Sequence, residues 1–177
     1  MTNEFWEFSL NVYAAPGVSG ECLDLQDRLG ADVNLLLFAA YAGSRGLILS
    51  AEDIDECSRV VQQWREQIIK PLRSIRQLTK TFLAERSPQI GQHIKDFCEG
   101  VKSVELESEK VQQELLFQWI EGKELKQPAS GVELSIRNNV ESMLHRTVPM
   151  GQSAESSRLI SASVMWAKVV ARKHRNQ

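Results

Sequence analysis

Apolar residues recur at three- and four-residue spacing along nearly the whole chain, and no stretch alternates with period two between turn residues. The pattern predicts an all-α fold of about seven helices. A first helix from about Asn3 to Ala14 sets Phe5, Phe8 and Val12 on one side with Trp6, Leu10 and Tyr13 beside them, and Pro16-Gly17 ends it. A second, Val18 to Leu29, stacks Val18, Cys22, Leu25 and Leu29 on one stripe before Gly30, a natural left-handed terminator. A third begins at Asp32 as its cap and is apolar on every side through Val33–Ala42, which assigns it to the centre of the core.

Ser50 and Asp53 have the spacing of a capping box and open a long helix whose stripe reads Ile54, Cys57, Val61, Trp64, Ile68, Leu72, Ile75, Leu78 and Phe82. Pro71 removes one amide and should bend this helix without ending it. Ser87 and Pro88 start the next, with Ile90, Ile94, Phe97, Val101, Val104, Val111, Leu115 and Trp119. A tight turn between them makes a long antiparallel hairpin, about 51–84 and 88–121. Matching the stripes puts Phe82 on Ile90, Ile75 on Phe97, Ile68 on Val104 and Val61 on Val111, with Trp64 opposite the small Ser108. Arg65 and Arg76 on one flank then face Glu105 and Glu109 on the other, an arrangement that predicts cross-helix ion pairs. A sixth helix is expected from about Val132 to His145 and a seventh from about Ser157 to Lys173, joined by a link, 146–157, expected to be mobile.

Composition adds limits more than chemistry. The 177 residues form one domain, 1–177, with a formal charge of −2 and so no global field for nucleic acid or an anionic surface. The start carries no basic residue and no secretory apolar core, and the longest apolar run, Leu35–Ala42, is far short of a membrane span. A cytoplasmic protein is therefore expected, with no membrane partner. Cys22, Cys57 and Cys98 are odd in number and scattered, which suits small buried hydrophobes better than a metal site. No cofactor is expected.

Two stretches carry enough polar groups to weigh. Asp24 and Asp27 stand a turn apart, close to Asn34, and could form a polar pocket. The same residues can also be helix punctuation, with Asp24 and Asp27 solvated, Asp32 capping, and Asn34 satisfied by free amides in its own first turn. An unpartnered carboxamide there would cost about 1 to 3 kcal/mol, so Asn34 is the discriminating residue. The acids of Glu52–Glu56 suit a helix start. The histidines at 93, 145 and 174 have no ligand spacing, and the basic residues of the long helix and of the C-terminal one need no phosphate to explain them.

Three segments, "FWEFSLNVYAAPGV", "CLDLQDRLGADVNLLLF" and "VELESEKVQQELL", resemble a family of short conserved, mainly proteobacterial proteins catalogued as a domain of unknown function. The resemblance implies a bacterial, cytoplasmic, helical protein and gives no residue a role. With no catalytic constellation and much amphipathic surface, the favoured expectation is an interaction or regulatory protein with an unidentified protein partner, self-association being open. Phe5, Trp6, Arg73, Arg76 and Lys80 mark the expected contact surface. The alternative is a small-molecule or lipid-binding protein, conceivably an enzyme, with its pocket near Asp24, Asp27 and Asn34.

Overall fold

The structure, a computed structural model, describes residues 3–82, 88–124, 131–147 and 156–175. Its centre is α3 (Val33–Ser44), where every residue from Val33 to Gly43 is buried. Asp32 caps it as the sequence predicts, one carboxylate oxygen accepting from the amides of Asn34 and Leu35. Around it pack α1 (Glu4–Tyr13), α2 (Val18–Leu29), and the C-terminal α7 (Val132–Thr147) and α8 (Ser157–Arg175). The remaining helices are α4 (Ala51–Trp64), continued by a π-helical turn (Arg65–Ile69) into α5 (Lys70–Thr81), and α6 (Pro88–Glu121). With α4, the π turn and α5 taken as one rod, seven helices build the fold, with no strand among the described residues.

Phe5, Phe8 and Val12 of α1 and Val18, Cys22, Leu25 and Leu29 of α2 are buried, while Trp6 and Tyr13 are half-buried and Leu10 is exposed, and Gly30 closes α2 at φ 70°. Ser50 and Asp53 make their reciprocal capping box at the start of α4. α3 runs two residues past its apolar segment because Gly43 meets α7: a Cβ there would lie 2.4 Å from the Ile136 Cα. No other residue type fits this crossing, the most extensive helix–helix contact among the described residues. Beside it, buried Asn139 donates to the carbonyls of Ala39 and Leu47 and accepts from the Leu49 amide, fixing the α3–α4 connection to α7. The start of α8 is capped from a distance, since Glu21 on α2 accepts from the amides of Arg158 and Leu159.

The hairpin requires a correction. Ile54, Cys57 and Val61 are buried as expected, and the Trp64 indole meets Ser108, donating to its carbonyl at 2.9 Å. Beyond Trp64 the stripe read at α-helical period points outward, with Ile68, Ile75, Leu78 and Phe82 exposed, as are Ile90, Phe97, Val104 and Val111 of the partner helix. The π turn, in which the Lys70 amide donates to the Arg65 carbonyl, uses one residue more than an α turn. It falls just before Pro71, which has no amide to give the Gln67 carbonyl. The inward face is consequently delayed by one residue and becomes Ile69, Leu72, Arg76 and Thr79. On α6 it is Cys98, Val101, Glu105, Ser108 and Gln112. The seam thus mixes Ile69, Leu72, Cys98 and Val101 with arginine, glutamate and glutamine, in place of the apolar zipper expected. Ser87 and most of the 146–157 link lie outside the described residues.

Candidate functional site

One side of the hairpin closes over α1, α2 and α3 and leaves a cleft of about 540 Å³. Trp6, Leu10, Leu23, Leu37 and Leu106 supply its apolar walls. Arg73, Arg76 and Lys80 from α5 and Glu99, Lys102, Glu105 and Glu109 from α6 supply its charged edge. Ser9, Gln26, Asn34 and Gln113 form a polar patch. α6 contributes residues one position ahead of its inward face at 99, 102, 106, 109 and 113, which share one side of the helix.

Behind the polar patch runs a buried chain of side-chain amides. Arg65, from the π turn, forms an ion pair with Asp32, Nε to carboxylate oxygen 2.9 Å, and donates through Nη2 to the Gly30 carbonyl at 3.2 Å, closing the C-terminus of α2. Asp32 accepts from the Gln112 amide, whose oxygen accepts from Asn34 Nδ2, whose oxygen in turn accepts from Gln113 Nε2, all at 2.8–3.0 Å. Because a carboxylate facing an arginine only accepts, it fixes the direction of every amide in the series. The last group, Gln113 Oε1, is a buried acceptor without a donor at the cleft, and Ser9 Oγ is likewise buried and unpartnered. Each such group costs about 1 to 3 kcal/mol if it stays unsatisfied.

The charged edge is an ionic cluster. Glu105, 6% exposed, accepts from Arg73 Nε at 3.2 Å and from both Nε and Nη2 of Arg76. Arg73 Nη2 also donates to Glu109 at 2.6 Å. Burial raises the Glu109 carboxyl above its ordinary pKa, Arg73 opposing and the charges of Glu105 and Asp32 adding to the rise. The Arg76 pKa is raised chiefly by its hydrogen bonds to Glu105. Tyr13, on the cleft wall, is raised first by burial and then by Cys22 and Glu109. The thiols of Cys22 and Cys57 are pushed up to about 12 by burial, which makes them inert hydrophobes at neutral pH.

Of the expected pocket residues, Asn34 is in the cleft; Asp24 and Asp27 are exposed on α2 and do not line it, although the charge of Asp27 is felt by Arg76 at the cleft's edge. Asp24 forms an i,i+4 pair with Arg28 whose hydrogen bonds hold its carboxyl below the usual range. Asn34 is satisfied by Gln112 and Gln113, not by first-turn amides, which go to Asp32. Phe5, expected at a contact surface, is instead fully buried, stacked on Tyr41 and edge-on to Phe38. Trp6, Arg73, Arg76 and Lys80 line the cleft instead of an outer face. Of the predicted ion pairs, Arg76 with Glu105 forms, while Arg65 turns to Asp32. Gln112 and Gln113 were overlooked because exposed and buried glutamines read alike on a helix; their placement among hydrophobic neighbours "VQQELL" was the available signal.

Among the described residues, no group of three His, Cys, Asp or Glu side chains could hold a metal ion. No helix among them is long and apolar enough to cross a membrane. No curated protein and no solved structure matches the chain. A family model described as "Protein of unknown function (DUF2390)" matches residues 4–116, and the chain belongs to that family. The match takes in every residue of the cleft, whereas α7 and α8, which complete the core around α3, lie beyond it.

Proposed function

We propose that this protein binds a small amphipathic molecule in the cleft between its hairpin and α1–α3, as a binding protein of the bacterial cytoplasm. The observation that carries this reading is the end of the amide series: a direction-fixed carbonyl, Gln113 Oε1, buried without a donor on a residue that lines the cleft. A ligand hydroxyl or amide N–H is its complement, with the neighbouring Ser9 hydroxyl as a second polar contact, while an apolar body lies against Trp6, Leu10 and Leu37. The volume suits a molecule of that kind. Discrimination by an otherwise unpaired buried acceptor is far sharper than discrimination by apolar fit.

The test is displacement of 1-anilinonaphthalene-8-sulfonate by medium-chain alcohols and by their methyl ethers, which lack the donor. The alcohols should displace it at least about tenfold more tightly, and Gln113→Leu should erase that preference while keeping apolar binding. Equal displacement by alcohol and ether, or a preference that survives Gln113→Leu, would refute the reading. A second reading, an interaction or regulatory role through protein contact, is supported by the exposed apolar residues on the hairpin's other side.

A further inference from the structure

The two outward stripes of the hairpin belong together. On α5 the exposed apolar residues, Ile68, Ile75 and Leu78, each sit one position behind an inward residue, and on α6 Phe97, Val104 and Val111 do the same. One residue back is about 100° of rotation. Because the helices run antiparallel, that rotation turns both stripes to the same side, opposite the cleft, where the α6 residues one position ahead lie. With Phe82 and Ile90 the result is a single band two helices wide. Leu78 is 60% and Phe97 57% exposed.

The band is palindromic. On α6, Ile90 and Val111, like Phe97 and Val104, lie at equal distances from the point between Gly100 and Val101. On α5, Ile68 and Phe82 lie at equal distances from Ile75, with Leu78 the one band residue whose mirror position, Leu72, faces inward. The bonds from Arg73 and Arg76 to Glu105 and from Trp64 to Ser108 fix the register and put Ile75 within about one turn of Gly100. Both centres therefore fall at the same level of the hairpin. Gly100 is a mid-helix glycine with nothing within 4 Å of where its Cβ would be. Nothing among the described residues uses the space that it leaves, although a glycine there costs about 1 kcal/mol relative to alanine.

We infer that a second copy of this chain covers the band, hairpin on hairpin, about a twofold axis that crosses the helices at Gly100 and Ile75. The four helices then form an antiparallel bundle in which Phe97 packs on Val104 of the partner subunit and Ile90 on the partner's Val111, each twice by symmetry. His93 comes opposite Glu107 of the partner subunit, both exposed at the band's edge. The eight apolar side chains present roughly 700 Å² per copy, close to the roughly 800 Å² per partner of a standard stable interface and above the few hundred Å² usual for a monomer's largest apolar patch. This assignment is independent of the ligand reading, since it uses the opposite face of the hairpin.

Sedimentation equilibrium of the full chain from 1 to 100 µM tests it, with a mass of twice 20.0 kDa expected. The double variant Phe97→Glu/Val104→Glu, at exposed positions, should keep its far-ultraviolet circular dichroism and dissociate at least about 100-fold more readily. Ile75→Glu on the other helix should act likewise, so misfolding of one variant does not decide the matter. Under oxidation, Gly100→Cys, on the axis, should give a disulfide-linked dimer, and Glu99→Cys, on the cleft side, should not. A monomer at 100 µM, a dimer unaffected by the charge variants, or crosslinking through position 99 and not 100 would overturn the assignment.

Discussion

The α3–α7 crossing and the α5–α6 hairpin are both pairs of packed helices, yet they solve burial in opposite ways. At the crossing, α3 is apolar all round, so any rotation about its axis still buries hydrophobic surface, and Gly43 sets how close α7 comes. In the hairpin each helix has one apolar stripe, and both stripes lie outside the seam: on α5 the extra residue of the π turn shifts the phase, and on α6 the pairing of Glu105 with Arg73 and Arg76 and of Ser108 with Trp64 sets it. The space between the helices is then shared by arginine, glutamate and glutamine with a few apolar side chains, Ile69 and Cys98 the most buried. An all-round apolar helix is insensitive to phase; a striped one is governed by it.

The comparison breaks most visibly at the crossing. Gly43→Val places side-chain atoms inside the Ile136 backbone, and the expected loss, above about 4 kcal/mol, should leave little folded protein in a urea titration. In the hairpin seam, Glu105→Ala strips both Arg73 and Arg76 of their shared anion. Because these arginines are partly solvated, about 2 to 3 kcal/mol is expected, and replacing Glu105, Arg73 and Arg76 together by leucine should recover most of it. Failure of that recovery would mean that the cluster does more than fill the seam.

Where the two regions meet, Asn34→Ala cuts the amide series and leaves Gln112 and Gln113 each short of a partner. A loss of about 1 to 3 kcal/mol should appear in thermal unfolding. Asn34→Asp should not rescue it, since a carboxylate cannot donate to Gln112. The smallest effect is a pH slope. The raised pKa of Glu109 means that the fold binds this proton more tightly than the unfolded chain, so its contribution is neutral below the ordinary carboxylate range. It turns unfavourable as pH rises through the raised value. Glu109→Gln, which still accepts from Arg73, should lose that dependence, so its stability relative to the unaltered protein should increase from pH 4 to 7; a constant difference would contradict the assigned direction.

Much of this was legible in the chain itself. Capping by Asp32 and by Ser50 with Asp53, the left-handed stop at Gly30 and the burial of α3 all depend on residues within one or two turns, and local chemistry settles them. The cleft was only half visible: Asn34 stood out as a carboxamide on an apolar helix, but its partners lie about eighty residues away on α6. Asp24 and Asp27 were equally conspicuous and turn out to face water, because helix phase, not residue type, decides which side meets the hairpin.

By itself, then, the sequence determined the helices, their ends and the central one, since hydrogen-bond geometry, caps and all-round apolarity act locally. Only the tertiary structure decided which sides of α5 and α6 face each other, because the π turn shifts the phase of α5 without changing composition, and the side of α6 turned inward depends on partners about thirty to forty residues away. From those two phases come the ionic seam, the cleft on one side and the palindromic apolar band on the other.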